Sequence, residues 1–107
     1  TSKLYLFKAP GHAGEDETSA MLAVAEGKVK MGDAIRFDAE YPRARVYSKA
    51  IDRRVYQRAL TGDATAANED SGKELMAAAV EDMVSLVKET LKALGITADR
   101  KLDRNRI

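Results

Sequence analysis

Cysteine is absent from this 107-residue chain, and histidine occurs only once. Without cysteine the protein can form no disulfide and can use no thiolate as a nucleophile or metal ligand. This composition fits a reducing compartment, and we expect a cytoplasmic protein. No apolar run approaches the roughly 20 residues that cross a bilayer, and no signal-peptide pattern is present. We therefore expect no membrane partner.

Net charge is also nearly absent, because 18 basic residues face 17 acidic ones. Nothing global favours nucleic acid or an anionic membrane as a partner, and no glycine-rich phosphate-binding pattern occurs. Arginines are frequent in residues 36–58, but carboxylates alternate with them. We interpret this segment as a salt-bridged subunit contact, with a grip on phosphate or nucleic acid as the less favoured alternative.

The length corresponds to one domain or a piece of one, long enough for a core of its own. The first residue is threonine rather than methionine. We therefore expect that processing, cleavage or truncation made this N-terminus.

The single histidine lies in the most informative segment, residues 9–19. The apolar residues 4–7 before it predict a strand, and the periodic residues 18–25 predict a helix. Glycines on both sides of His12 let the backbone turn sharply and leave room for a ligand. Three carboxylates follow at residues 15–17, where the helix should begin.

A titratable ring on a strand-to-helix loop beside carboxylates is a common arrangement in catalytic sites on α/β sheets. His12 is therefore a candidate catalytic residue. A structural interpretation stands beside this one. Asp16 and Glu17 could simply complement the free N–H groups and dipole of a helix N-terminus, with His12 an ordinary loop residue. The spacing by itself leaves both interpretations open.

The middle of the chain has weaker patterns. Residues 28–37 predict a short strand or an irregular turn, and residues 36–54 a long surface excursion that could serve as an inter-subunit arm. Residues 55–60 predict a brief strand. The charged residues 97–107 predict a tail that is extended or docked on another subunit.

The strongest structural prediction is a long helix near the C-terminus. Apolar side chains repeat every three or four residues over residues 76–94, and neighbouring apolar positions widen the stripe. We expect this stripe to pack against a sheet. Thr65 or Asn68 could supply the N-cap, and Gly95 fits the left-handed residue that follows a last helical turn.

Residues 11–23 resemble the H-A-G-x-x-E-T-S-x-M-L-A segment of the creatininase (creatinine amidohydrolase) family. Residues 27–29 fall where that family has a short connection ending in valine, and residues 61–67 are similar to its G-x-x-G-D-P-x-x-A segment. The order and approximate spacing agree. The resemblance covers about residues 3–95 and leaves residues 96–107 as a charged tail.

This resemblance implies an α/β fold, in which residues 1–107 form the C-terminal portion of a single three-layer α/β/α domain with a mixed or parallel sheet. It implies a hydrolase that uses divalent metal ions (zinc, manganese or iron) to open cyclic amides or cleave related C–N and ring bonds of a small-molecule substrate. Metal-bound hydroxide would attack the carbonyl. The ring-like assemblies of the family imply a higher oligomer.

The resemblance also implies site residues. The family's histidine acts as a general acid/base near the leaving nitrogen, and that role carries to His12, since imidazole titrates near neutral pH. The glutamate before Thr-Ser carries to Glu17, whose hydrogen bond would fix the imidazole tautomer. Gly11, Ala13 and Gly14 are the expected substrate-binding residues.

Two departures from the family pattern matter. The family's metal ligands precede the histidine motif, so we expect none in this chain and assign them to a second chain or a missing N-terminal half. A natural split and proteolysis both fit. Residues 8–10 also lack the aromatic and acidic residues that creatininases proper place there, which puts creatinine itself in doubt as the substrate. The alternative function is a non-catalytic structural or regulatory subunit that retains the fold.

Overall fold

Helices dominate the computed structural model, which describes residues 6–44, 46 and 48–96. The elements are α1 (Glu15–Ala25), β1 (Arg36–Phe37), α2 (Lys49–Val55), β2 (Gly62–Asp63) and α3 (Glu69–Ala93), with 3-10 turns at Glu26–Lys28, Met31–Asp33 and Ala64–Ala66. The two strands are antiparallel, with Arg36 opposite Asp63 and Phe37 opposite Gly62. None of the described helices has the length and apolarity that crossing a bilayer requires.

α1 begins at Glu15, three residues before its predicted start at Thr18. Its N-cap is Gly14, which has no side chain to accept a helical N–H. The carboxylates of the first turn complement this end of the helix instead, because they are attracted by its free N–H groups and dipole. Residues 15–17 are therefore part of the helix and form its first turn.

α3 confirms the predicted long helix and both of its caps. The side chain of Asn68 accepts the N–H of Ser71 at 2.8 Å, so Asn68 rather than Thr65 is the N-cap. At the other end Gly95 has φ +71°, and the N–H of Ile96 donates to the carbonyl of Leu91 at 2.9 Å. This is the Schellman geometry, in which a left-handed glycine lets the chain close off the last carbonyls.

α1 and α3 pack so closely that a side chain at Gly72 has no room. A Cβ built there would lie 1.8 Å from the carbonyl oxygen of Ser19. The buried hydroxyl of Ser19 donates to the carbonyl of Glu15 at 2.6 Å and accepts the N–H of Asn68 at 3.0 Å. The contact thus joins the middle of α1 to the N-cap of α3.

Beyond this contact, α3 extends with its apolar stripe uncovered. Val80 and Met83 are 56% and 67% exposed, and Val84, Leu86, Val87, Leu91 and Leu94 are exposed as well. The Cα radius of gyration is 19.3 Å, whereas a compact chain of this length would have about 13 Å. Within the described part of the chain, the stripe meets no sheet.

Several sequence predictions need correction. Residues 55–60 are not a strand: Val55 ends α2, which begins because the Ser48 hydroxyl accepts the N–H of Ile51 at 3.1 Å. A helix of 7 residues is too short for its periodicity to be recognised in the sequence. The surface excursion predicted for residues 36–54 contains this helix and β1. Residues 28–37 combine both predicted alternatives, a turn and a short strand.

The predicted strand at residues 4–7 is only partly described, and its described residues, 6 and 7, are not in a strand. The predicted tail, residues 97–107, lies outside the described residues. The sheet found in the described part is a two-stranded antiparallel pair in a mostly helical structure. The three-layer architecture with a mixed or parallel sheet therefore stays a prediction.

We expect Gly72→Ala to lower the free energy of unfolding of the assembled protein by about 1–3 kcal/mol, because the new methyl group would force α1 and α3 apart. Gly32→Ala is the matched control, since a Cβ there has nothing within 4 Å. Urea denaturation followed by circular dichroism measures both variants. Equal stability of the two would contradict the close contact at Gly72.

Candidate functional site

Two loops that are far apart in sequence meet at the single histidine. We name them the histidine loop (residues 9–14) and the Thr61 loop (residues 60–63). The N–H of His12 donates to the hydroxyl of Thr61 at 2.9 Å, and the N–H of Thr61 donates back to the carbonyl of His12 at 2.9 Å. Thr61 is only 3% exposed. The backbone of His12 is therefore held on both of its peptide groups by one buried residue.

Three glycines make this approach possible. A Cβ at Gly11 would lie 2.5 Å from the carbonyl oxygen of Thr61, and one at Gly14 would lie 2.6 Å from the same atom. Gly62 has φ +88°, and a Cβ there would lie 2.5 Å from the carbonyl oxygen of Ala9. We expected Gly11 and Gly14 to leave room for a ligand. Instead, they allow the Thr61 loop to approach the histidine loop.

The acidic residues of α1 hold the histidine loop from the other side. Each of three successive carboxylates accepts one backbone N–H of the loop: Glu15 from Ala9 at 2.8 Å, Asp16 from Gly11 at 3.0 Å, and Glu17 from Ala13. Charge-assisted bonds of this kind are stronger than bonds between neutral groups. The carboxylates thus shape the loop as well as complementing the helix N-terminus.

The predicted substrate-binding residues Gly11, Ala13 and Gly14 all lie in this loop, next to His12. The N–H of Gly14 donates to the carbonyl of Gly11 at 3.1 Å, and those of Gly11 and Ala13 go to carboxylates. The loop therefore has no spare backbone donor among these residues to offer a substrate oxygen. Their assignment to substrate binding stays a prediction.

The imidazole of His12 is exposed and faces one aromatic ring. Its centroid lies 5.8 Å from that of Tyr56, at an interplanar angle of 90°. The next residue, Ala13, has φ +51°, a left-handed conformation that costs a non-glycine residue about 1–2 kcal/mol. The carboxylate of Glu17 and the hydroxyl of Thr18 both bond to the backbone of Ala13. The histidine loop is thus strained at Ala13 and held there by hydrogen bonds, and the imidazole that it carries is exposed.

Glu17 lies near His12 in the chain, but its described hydrogen bond is to the backbone of Ala13 and not to the imidazole. The predicted contact that would fix the imidazole tautomer stays a prediction. Sequence reasoning missed Thr61 and Tyr56 as neighbours of His12. Thr61 lies 49 residues away from His12 in the chain, and no local sequence pattern indicates either contact.

Asp63, in the segment that resembles the family's Gly-Asp motif, is a capping residue. Its carboxylate accepts the N–H of Thr65 at 3.0 Å and also accepts from the Thr65 hydroxyl. The bond from that hydroxyl holds the pKa of Asp63 below its ordinary value, and the charge of Arg36 acts in the same direction. The local geometry explains this aspartate without a ligand.

The described residues do not fit a divalent metal centre. No group of three or more histidine, aspartate or glutamate side chains among residues 6–44, 46 and 48–96 lies in an arrangement that could hold a metal ion. The acidic cluster of α1 is committed to the histidine loop, because Glu15, Asp16 and Glu17 each accept a backbone N–H.

A cavity of about 400 Å³ lies beside the ring that faces His12. It is a half-open pocket formed by α2 and the segment before it, and its lining residues are Tyr41, Pro42, Val46, Ile51, Asp52, Val55 and Tyr56. Tyr56 therefore belongs both to this cavity and to the surroundings of the imidazole. His12 itself does not line the cavity, but an exposed imidazole on a held backbone can exchange a proton with a molecule that reaches it.

Comparison with known proteins identifies the family. The model of the Creatininase family, described as creatinine amidohydrolase, matches residues 4–87. No curated protein and no solved structure matched the chain. The matched range includes the histidine loop, the Thr61 loop and most of α3, and it covers more than three quarters of the chain. The resemblance seen in the sequence is confirmed, and the chain belongs to the creatininase (creatinine amidohydrolase) family.

Proposed function

We propose that this chain is part of a cytoplasmic, metal-dependent hydrolase that opens a cyclic amide or cleaves a related C–N or ring bond of a small molecule. Family membership supports the general class, because the match to the Creatininase family indicates an amidohydrolase-like, metal-dependent protein. The observation that carries the proposal is the placement of His12. Its backbone is held at both peptide groups by Thr61, while its ring is exposed and faces Tyr56, which lines a cavity.

In this proposal His12 is the general acid/base. As the C–N bond breaks, the imidazole delivers a proton to the leaving nitrogen, which would otherwise depart as an unstable anion. The two bonds to Thr61 fix the backbone that carries the ring, and accurate placement is a large part of what a catalytic group contributes. Glu17 is a positioning residue, because its carboxylate holds the strained backbone of Ala13 next to the histidine.

The metal ions that the family generally requires need ligands that the described residues do not supply. We propose that a second chain or an N-terminal half of the same enzyme binds them, with zinc, manganese and iron as candidates. The apolar stripe of α3 supports such a partner, since contiguous exposed apolar surface of this kind marks an interaction site. A higher oligomer is part of the same proposal.

A second candidate function is a non-catalytic subunit that retains the fold. One observation favours it: the described hydrogen bonds of Glu15, Asp16 and Glu17 are all to the backbone of the histidine loop, as in a purely structural motif. Catalysis remains our preferred proposal, because the chain belongs to a family of hydrolases and the ring of His12 is exposed in its histidine loop.

We expect the isolated chain to bind no catalytic metal and to show no hydrolase activity, because its described residues include no set of ligands for a two-metal site. Metal analysis of the refolded chain, with cyclic amides as test substrates, checks this. Tight stoichiometric zinc or manganese without a partner would overturn the division of the site between two polypeptides.

We also expect the isolated chain to aggregate or to be partly unfolded, because its apolar stripe has no cover. In the native form it should share an interface of roughly 2,000 Å² or more, as obligate partners do. Analytical ultracentrifugation and thermal unfolding of the chain alone measure this. A monomer with a sharp cooperative transition would speak against an obligate partner.

We expect His12→Gln in the assembled enzyme to lower turnover roughly 10²–10⁴-fold, the usual cost of losing a general acid/base, with metal content and assembly unchanged. Glu17→Gln should have a milder effect, since the amide oxygen can still accept the N–H of Ala13. Glu40→Gln, an exposed carboxylate outside the two loops, is the control. Steady-state kinetics with metal analysis decides: wild-type turnover in His12→Gln would leave the non-catalytic subunit as the better function.

A further inference from the structure

One short segment of the chain contacts His12 twice, once at its backbone and once at its ring. Thr61 bonds to both peptide groups of the histidine, and Tyr56, slightly earlier in the segment, meets the imidazole edge to face at 5.8 Å. The two contacts have different effects. Thr61 fixes the position of the histidine backbone, whereas the direction of the ring depends on rotation about two side-chain bonds beyond that backbone.

The imidazole needs a restraint of its own. Among residues 6–44, 46 and 48–96 no hydrogen bond to a side chain holds the ring, and its described interaction is the contact with Tyr56. An exposed side chain exchanges rapidly between staggered rotamers even where its backbone is fixed. Only some of these rotamers direct a ring nitrogen toward a given leaving group. An acid/base on this loop therefore gains from a contact that selects one of them.

Tyr56 is well placed to select a rotamer, because its backbone is held on both sides. Its N–H donates to the carbonyl of Asp52 at 2.9 Å and closes the last turn of α2, and its carbonyl accepts the N–H of Ala59 at 2.9 Å. Val55 and Leu60, which flank this turn, are 3% and 7% exposed. The ring of Tyr56 is therefore attached to a backbone that is anchored in the protein interior at either end of the turn.

From these contacts we propose that Tyr56 is a positioning residue, whose ring sets the orientation of the His12 imidazole. This role rests on the proposed function, and it includes no contact with the substrate and no share in the proton transfer. Aromatic pairs in a T-shaped arrangement attract each other beyond the area that they bury, and the attraction depends on ring geometry. The contact therefore favours one orientation of the imidazole, and it requires the aromatic ring of Tyr56 rather than its hydroxyl.

The first test measures the orientation of the imidazole by NMR, in the assembled protein with isotope-labelled histidine in this chain alone. His12 is the only histidine of the chain, so its signals are assigned at once. We expect χ1 coupling constants of a single rotamer and an Overhauser effect to the Tyr56 ring. Tyr56→Leu should average the coupling constants over several rotamers, whereas Tyr56→Phe should keep the single rotamer. Tyr41→Leu is the matched control and should change nothing, since Tyr41 is 62% exposed and has no described contact with the imidazole.

The second test is steady-state kinetics of the same assembled variants, with the cyclic amides hydantoin and succinimide as probes. We expect Tyr56→Leu to lower kcat about three- to tenfold, the size of effect that one aromatic pair supports, with KM within about twofold of wild type. Tyr56→Phe should restore most of the turnover. A residue that bound the substrate would raise KM instead, and a residue that only stabilised the fold would leave the His12 rotamer unchanged.

The proposal is overturned if Tyr56→Leu keeps a single His12 rotamer, if it raises KM with kcat unchanged, or if Tyr41→Leu has the same effects. Turnover in Tyr56→Phe as low as in Tyr56→Leu overturns it too. If Tyr56→Leu fails to assemble, or neither probe is hydrolysed, the coupling constants of wild type and Tyr56→Phe decide, and averaged values in either reject the proposal. Wild-type turnover in His12→Gln would reject the proposed function while the NMR result stood, so the two failures are distinguishable.

Discussion

The structure depends on the contact between the backbone of His12 and the buried residue Thr61, which uses both its N–H and its hydroxyl. Two hydrogen bonds of 2.9 Å join residues 49 positions apart, and Thr61 is buried where they form. Backbones can approach this closely only where side chains are missing, which explains Gly11, Gly14 and Gly62 together. A larger residue at any of the three would push the loops apart. The same contact fixes the backbone that carries the exposed imidazole and leads into the left-handed Ala13.

The carboxylates of α1 show how one set of residues can satisfy two physical demands. At the start of a helix they complement free N–H groups and the dipole. The same side chains reach back and accept the N–H groups of residues 9, 11 and 13. The structural interpretation of the acidic run therefore holds, and it is compatible with catalysis by the ring.

The apolar stripe of α3 is exposed to solvent in the described chain, and this exposure is energetically unfavourable. Fully burying one valine, leucine or methionine side chain is worth about 1.5–3 kcal/mol. Several such side chains together rival the roughly 5–15 kcal/mol by which an ordinary domain is stable. The contact at Gly72 fixes only the first turns of α3 against α1. A surface with this much unburied apolar area is understandable as half of an interface, and much less so as the outside of a complete domain.

Features whose physical causes lie within a few residues of one another could be predicted from the sequence. Asn68 and Gly95 mark the ends of α3 because caps act on the adjacent turn, and the glycines around His12 mark a tight loop. The helix at residues 49–55 escaped prediction because 7 residues carry too little periodicity. The contact between Thr61 and the backbone of His12 and the approach of Tyr56 to its ring could not be predicted in this way and emerge from the three-dimensional structure. These contacts depend on the path of the chain between distant segments, and that path is set by packing rather than by any local signal.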